Sequence, residues 1–531
     1  MGSGSGGSFA PPLPAAGGAM GRLAPLLGAP VVLLGLTALL APVLMQTPTG
    51  QRGLLALGFV GLFLFFTLRA PRVGVPLLLV YLALLGGVRR WLIPLFGTAE
   101  SDPLLLVGPA VALFFLINQI VSRRFPCDTR LSRLLPWLLG LMFLQVFNPF
   151  QGGLMIGFAG ILFYVVPVCW YYIGRYAGPP LLVRRLTSVV VIVALTSATY
   201  GMYQHFFGFL PSEQEWLRAN AQRLAALNVR GVIRAFSFFT SPSEYAQFLG
   251  LGALMLWAAW LRGYRLALLP LPVLLVGLLL IGSRGPIVSL LAAGTALWAV
   301  QGRTLVSWLP RGALAVALAV VGLVWSLNQV QPGQFDQRTE AMLEHQVTGL
   351  LNPLDEKHST ASLHTNMFLG GIRDGFRSPL GRGLGATTVA AAKYSQGKQP
   401  TDGSTEVDLS NVFVSLGFAG GLLYGFVIVV ILATALGHWR RTRSFEALAI
   451  LGILLLTTGQ WLNGGHYASA LLVWFCLGAL DRAVRAETPA AGSRSFAGTP
   501  GTLPPHQWRQ RGGEYSLRSA PPPPQSPPQQ S

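Results

Sequence analysis

Charged residues are scarce in this chain of 531 residues. Only 11% of them are Asp, Glu, Lys or Arg and 52% are hydrophobic, whereas a soluble domain carries about a quarter charged residues. Apolar runs of about 20 residues recur along most of the sequence, and each can cross roughly 30 Å of hydrocarbon as a helix. This composition excludes an ordinary soluble protein. It predicts an all-α fold, a polytopic transmembrane helical bundle.

Cysteines and metal-ligand clusters are scarce as well. Of the three cysteines, Cys127 lies in a basic loop, and Cys169 and Cys476 lie in apolar runs, so no disulfide framework is expected. His358 and His364 are six positions apart, on different faces of a helix, and no cysteine or acidic cluster accompanies them. No phosphate-binding glycine loop and no G-x-S-x-G elbow occur. The sequence therefore predicts no metal and no cofactor.

Acidic residues are outnumbered by basic ones. The chain has 19 Asp and Glu against 38 Lys and Arg, which gives a formal net charge of +19. In a membrane protein, the cytoplasmic loops attract Lys and Arg first, and here the basic residues are spread through loops without an interleaved aromatic patch. We therefore expect no nucleic-acid partner and use the excess charge to orient the chain.

Fourteen apolar runs are candidate membrane spans, of which twelve to fourteen are expected to cross the bilayer. We interpret the first as a retained signal anchor because no small-residue cleavage site follows it. The chain then divides into a disordered N-terminus (1–22), a membrane domain (23–483) and a disordered Pro-rich cytoplasmic tail (484–531). The runs fall near residues 25–45, 53–69, 73–88, 103–121, 134–148, 153–174, 186–204, 243–261, 265–282, 285–301, 312–328, 411–437, 446–462 and 466–481.

The positive-inside rule gives both termini a cytoplasmic location. With that orientation, the short inner loops and the N-terminal flank hold seventeen Lys or Arg residues. The short outer loops hold four, namely Arg52, Arg89, Arg90 and Arg284. Two outer segments are long, 205–242 and 329–410. The second is a long outer loop between late spans and the largest predicted region outside the membrane.

Arginines on the predicted outer side are candidates for binding an anion. Arg284 lies in "GSRGP" between two apolar runs, where a cation is expensive and indicates a functional site, although a side chain near a helix end can also snorkel to water. Each of the other arginines alone could be a solvated loop residue. Together they offer several guanidiniums, and these suit a diphosphate. The further candidates are Arg230, Arg234, Arg373 and Arg377, with the carboxylate Glu244 at the start of the eighth run.

The stretch "STEVDLSNVFVSLGFAGG" (404–421) begins an apolar run with acids and polar groups. Glu406, Asp408 and Asn411 could serve catalysis, whereas Asp408, Ser410 and Asn411 are also good N-cap residues. Both interpretations stay open. The glycines at 417, 421 and 425 are four positions apart, which predicts a face against which another helix packs closely.

Four motifs occur in order along residues 230–437: "RAFSFFTSPSEYAQFL", "GSRGP", "SPLGRGLGA" and "SNVFVSLGFAGGLLY". In this order the chain resembles the O-antigen polymerase and O-antigen ligase superfamily of bacterial inner-membrane enzymes. The resemblance implies a polyprenyl-diphosphate-linked glycan as donor at the outer face of the membrane, and an acceptor hydroxyl that displaces the diphosphate. By motif, diphosphate binding falls to Arg234, Arg284 and Arg373, and no metal is required. A flippase or a chain-length regulator is an expected partner.

One position departs from the ligases of that family. They carry a histidine directly before the asparagine that here is Asn411, and this chain has Ser410. Glu406 or Asp408 could then act as the general base, the reaction could proceed without a base, or glycosyl transfer could be lost. The departure favours a polymerase. Ligase-type transfer to a lipid or protein acceptor, and a non-catalytic or transport role in polysaccharide export, remain as alternatives.

Overall fold

The computed structural model describes residues 35 and 41 and the range 44–487. Within that range the description excludes residues 100, 123–124, 221–226, 303, 329–332, 334, 352–360 and 395–403. Almost all of this part is helical. The strands found in it are β1 (Asn228–Val229) and β2 (Val232–Ile233), which form one antiparallel hairpin. The predicted disordered N-terminus, most of the predicted signal anchor and residues 488–531 lie outside the described residues.

The first half of the bundle is built from helices joined by short connections. A 3₁₀ turn (Pro103–Leu106) precedes α4, and a π-helical turn (Ile161–Val165) joins α6 to α7. The helices are α1 (Pro48–Arg69), α2 (Pro71–Trp91), α3 (Ile93–Phe96), α4 (Val107–Val121), α5 (Arg130–Gln145), α6 (Leu154–Gly160), α7 (Val166–Ala177), α8 (Pro180–Phe207) and α9 (Pro211–Ala219).

The second half contains the predicted long outer loop, and that segment is itself largely helical. Three helices, α14 to α16, lie within 329–410, and a 3₁₀ turn (Arg265–Leu268) precedes α11. The helices are α10 (Pro242–Leu261), α11 (Leu271–Leu280), α12 (Arg284–Ala299), α13 (Leu305–Asn328), α14 (Gln337–Leu351), α15 (Ala361–Arg377), α16 (Val389–Tyr394), α17 (Asp408–Thr442), α18 (Phe445–Leu456) and α19 (Tyr467–Glu487).

The prediction of an all-α membrane protein is confirmed, but the count of fourteen spans is not. Among the described residues, seven helical segments are long and apolar enough to cross a membrane. Other apolar segments, such as Arg265–Leu280 and Phe445–Leu456, are shorter. Helix α19 continues to Glu487, so the predicted start of the tail at 484 was too early. The seven segments are Pro48–Arg69, Pro71–Trp91, Pro103–Val121, Leu154–Ala177, Pro180–Phe207, Asp408–Thr442 and Tyr467–Glu487.

Two of the arginines in the predicted outer loops are paired with one buried carboxylate. The Arg52 Nη1 donates to Asp102 Oδ2 at 2.6 Å, and the Arg89 Nε donates to the same oxygen at 3.0 Å. The Arg52 Nη2 also donates to the carbonyl of Gly97 at 2.6 Å. Buried charge is tolerated when it is paired and hydrogen-bonded. These arginines therefore hold the loop before α4 against α1 and α2.

A third arginine of the predicted outer loops, Arg90, holds the segment that leads into α10. Its Nη1 and Nη2 donate to the carbonyls of Phe239 (3.0 Å) and Ser237 (2.5 Å). Its Nε lies 3.7 Å from the carboxylate of Glu213 in α9, and its guanidinium lies over the ring of Phe236. The buried Arg90 thereby fixes the course of the chain directly after Arg234.

Helix α17 is broken at Gly417, whose φ of 74° and ψ of −171° are not helical. The break leaves the carbonyls of Val414 and Ser415 to accept from the backbone N–H groups of Arg382 (2.9 Å) and Gly383 (3.1 Å). A Cβ at position 417 would overlap the backbone of residues 379–381, in the loop that follows α15. The loop after α15 is therefore attached to the broken helix through main-chain hydrogen bonds.

The predicted glycine face on this helix is wrong, because none of its three positions contacts a neighbouring helix, and the atom nearest to a Cβ at Gly425 is Leu409 Cδ1 of α17 itself. Gly417 receives the loop at 379–381 rather than a neighbouring helix, and Gly421 lies against the ring of Phe413 in its own helix. This arrangement follows from the break at Gly417, because the start of α17 runs in a different direction from the rest of the helix.

Replacement of Gly417 by alanine should destabilise the protein by about 3 kcal/mol, because this backbone region is open almost only to glycine and the new methyl group would overlap the main chain of 379–381. Thermal unfolding in detergent measures the effect. Gly425→Ala is the matched control in the same helix, since the nearest atom to its new Cβ is Leu409 Cδ1 at 3.8 Å. Equal melting temperatures for the two variants would contradict the prediction.

Candidate functional site

A cavity of about 1480 Å³ lies where the start of α12, helix α14 and the start of α17 meet. The segment after the β-hairpin, the π-helical turn before α7 and the turn 460–463 complete its wall. The cavity brings together six residues predicted from the sequence and two that were not. These eight lining residues are Arg230, Arg234, Arg284, His345, His364, Glu406, Asp408 and Asn411.

The basic part of the wall is centred on Arg284, the first residue of α12. Its Nη2 donates to the carbonyl of His345 at 2.6 Å and lies 3.2 and 3.3 Å from the two imidazole nitrogens. Arg234 is half-buried, and its Nε is buried without a hydrogen-bond partner among the described residues. Arg230 is exposed and forms an ion pair with Glu344 of α14. Arg234 and Arg284 are therefore the better placed of the three to bind an anion inside the cavity.

The electrostatic effect of this cluster is seen at His345. Burial, followed by the charges of Arg284, Arg234 and Arg230, lowers the pKa of His345 to about 4. The pKa of Arg234 is lowered by burial and then by Arg284. In both cases burial is the larger cause, and the neighbouring guanidiniums lower the pKa further. Such a field favours a ligand of negative charge.

The acidic part of the wall begins at Glu406. Its carboxylate lies 2.9 Å from Nδ1 of His364, a residue of α15, and both side chains are substantially exposed to the cavity. The backbone of Glu406 has a φ of 64°, which is uncommon for a residue other than glycine. A carboxylate with an imidazole beside it is a pair that can accept and pass on a proton.

Asp408 has a different environment from Glu406. It is buried, and its Oδ2 accepts from the backbone N–H of Leu462 (2.8 Å) and from the hydroxyl of Tyr424 (3.3 Å). Its own backbone N–H donates to the carbonyl of Gly459 at 2.7 Å. These bonds attach the start of α17 to the turn after α18. Asp408 is thus mainly a structural residue at the edge of the cavity.

The capping interpretation of this stretch is wrong. The N-cap of α17 is Val407, and no side chain caps the helix. The Asn411 Oδ1 instead accepts from the backbone N–H (2.8 Å) and the hydroxyl (3.0 Å) of Thr405, and Ser410 contacts the same hydroxyl. The polar residues therefore fold segment 404–407 back over the helix, which turns Glu406 towards the cavity.

Three predicted residues are not among those that line the cavity. Glu244 is fully buried at the start of α10, where it accepts from the Thr240 hydroxyl (2.7 Å) and from the backbone N–H of Ala468 (3.2 Å). Arg373 and Arg377 are exposed on α15. Arg373 lies two positions after Gly371, and Arg377 lies two positions after Gly375. Both glycines face α17. Two positions along a helix correspond to roughly the opposite side, which carries both arginines away from this interface.

Sequence reasoning missed His345 and gave His364 no role. His345 belongs to α14, where Thr339, Met342, Leu343 and Gln346 are buried at helical spacing. That periodicity was a readable signal for a packed helix inside the segment 329–410. His358, considered as its possible metal partner, lies outside the described residues. Within the part of the chain that the structure describes, no three His, Cys, Asp or Glu side chains form a group able to hold a metal ion.

The chain was compared with protein-family models and with curated proteins. No family model matches it, and no curated protein matches it either. The four motifs therefore provide a resemblance only, and the function has to be argued from the cavity.

The stability of the protein should fall as the pH drops from about 6.5 to about 4, in part because of His345. Its pKa in the folded protein is about 4, below that of roughly 6.5 in an unfolded chain, so the unfolded state binds the proton first. His345→Gln should remove this part of the decrease in melting temperature, and Arg284→Ala should reduce it by raising the pKa. A His345→Gln curve identical to that of the unaltered protein would contradict the prediction, and an unchanged Arg284→Ala curve would show that Arg284 does not contribute to the lowered pKa.

Proposed function

We propose that the chain is a membrane glycosyltransferase of the O-antigen or exopolysaccharide polymerase type. It would transfer a polyprenyl-diphosphate-linked glycan to an acceptor sugar hydroxyl. The observation that carries the proposal is the single cavity, in a membrane-embedded helical bundle, that contains both Arg234 and Arg284 and the pair Glu406–His364. The reaction needs an anion-binding group and a proton-accepting group, and both line this cavity.

Arg234 and Arg284 would bind the diphosphate of the donor. The bond from the anomeric carbon to the phosphate oxygen breaks, so that negative charge grows on the leaving diphosphate. Guanidiniums already held in position stabilise that charge more in the transition state than in the ground state. Arg230 would act as an accessory cation, because it is already paired with Glu344.

Glu406 and His364 would serve the acceptor. The acceptor oxygen forms its bond to the anomeric carbon while the hydroxyl proton passes to this pair, and the polyprenyl diphosphate leaves. Asp408 was predicted as an alternative base, but its carboxylate already accepts from Leu462 and Tyr424. We therefore assign the acceptor role to Glu406, and we assign to Asp408 the placement of the helix that follows it.

The proposed setting is the bacterial inner membrane with both termini in the cytoplasm. This orientation rests on the positive-inside rule and places the cavity at the outer face, where the donor glycan would be presented. The full complement of up to fourteen spans belongs to the same proposal. A flippase that delivers the donor and a chain-length regulator are the proposed partners.

Replacement of Arg284 or Arg234 by alanine should lower kcat/KM for the lipid-linked donor by about 10²-fold or more, because one fixed donor to the leaving group is lost. The measurement is polymerisation by the purified protein, together with glycan length on a gel from the complemented deletion strain. Arg338→Ala, on the exposed part of α14, is the control. Long-chain glycan from a stably produced Arg284→Ala strain would reject the proposal.

Glu406→Gln and Asp408→Asn should have different consequences. The first removes an exposed proton acceptor, so activity should fall by roughly 10²-fold or more with little change in melting temperature. The second weakens a buried connection and should lower the melting temperature. Parallel measurements of activity and thermal unfolding separate the two. A Glu406→Gln variant with full activity would remove this residue from the mechanism.

A further inference from the structure

Helix α14 crosses directly over the guanidinium of Arg284. Two residues of one helical face make the contact, since His345 and Gly349 are four positions apart. The carbonyl of His345 accepts from the Arg284 Nη2 at 2.6 Å. A Cβ at position 349 would overlap the Cζ, Nη1 and Nε atoms of the same guanidinium. The guanidinium therefore occupies the volume that any side chain at 349 would take.

The backbone gives no separate reason for glycine at this position. Gly349 is within α14, and its φ is not among the positive values of the described residues. In a helix with ordinary dihedrals, alanine is favoured over glycine. What requires glycine here is the close approach of Arg284.

Helix α14 is also held at other points, so that it cannot simply move away from Arg284. Thr339 is hydrogen-bonded to His205 of α8 at 2.8 Å, and Glu344 is paired with Arg230. Met342 lies against Gly282 in the turn before α12. An added methyl group at 349 would accordingly displace the arginine, which is the end of a flexible side chain, rather than the helix.

We propose that Gly349 is a positioning residue for the anion site: by lacking a side chain, it lets α14 fix the Arg284 guanidinium in the orientation that binds diphosphate. The inference rests on the proposed function and goes beyond it, because it assigns a role to a residue that has no side chain. It also gives the segment 329–410 a direct part in donor binding.

The test is Gly349→Ala in the full-length protein, with inorganic pyrophosphate and farnesyl diphosphate as probes. Loss of a charge-assisted hydrogen bond predicts affinity for both probes lower by about tenfold or more, and a matching rise in KM for the lipid-linked donor. Gly370→Ala is the matched control, because it is helical and no atom lies within 4 Å of its new Cβ. Wild-type affinity in Gly349→Ala would overturn the inference.

A second variant separates positioning from a general effect on folding. In the Arg284→Ala background the space beside position 349 is vacated, so that Gly349→Ala should cause no further loss of binding and should raise the melting temperature. A lower melting temperature in that background would overturn the inference. If Arg284→Ala alone retains wild-type activity, the proposed function fails; if only Gly349→Ala retains it, the inference about Gly349 fails alone.

Discussion

A guanidinium buried at the end of a helical bundle must be matched by acceptors or by a ligand, and this requirement organises the described structure around the cavity. Where the chain supplies a carboxylate, as Asp102 does for Arg52 and Arg89, the arginines hold helices together. Arg234 has no such carboxylate in the ion pairs of the described part, and it lines a cavity large enough for a ligand. Pairing with a carboxylate thus distinguishes Arg52 and Arg89, which hold helices together, from Arg234, which lines the cavity.

The cavity wall also depends on the break in α17. Because Gly417 interrupts the helix, two main-chain carbonyls become available to the loop after α15. That loop then places Thr387 between Tyr164, at 2.6 Å, and Ser415, at 3.2 Å, on the wall of the cavity. One backbone irregularity therefore couples the large segment outside the predicted spans to the membrane core.

Much of the fold was readable from the sequence because apolar runs determine helices directly. The grouping of Arg234, Arg284 and Glu406 was also readable, since their motifs lie at the predicted outer ends of helices. The predictions that failed are those that depend on which side of a helix faces its neighbours. Arg373 precedes the motif "SPLGRGLGA", whose loop reaches the cavity wall. Which side of α15 faces inwards, however, depends on where α15 packs, and a single sequence does not give that. The break at Gly417 was missed for the same reason, because its partner is a loop distant in sequence.

Position 410 gives a physical meaning to the departure from the ligase pattern. Ser410 is buried, its hydroxyl contacts Thr405, and its Cβ lies 3.0 Å from where a Cβ of Gly371 would stand. A larger side chain at this buried position would have to displace its neighbours, because α15 packs closely on α17 here. The small residue at 410 therefore accompanies the close packing of α15 on α17. The same approach of α15 brings His364 to Glu406. An imidazole thus reaches the cavity from the neighbouring helix rather than from α17 itself.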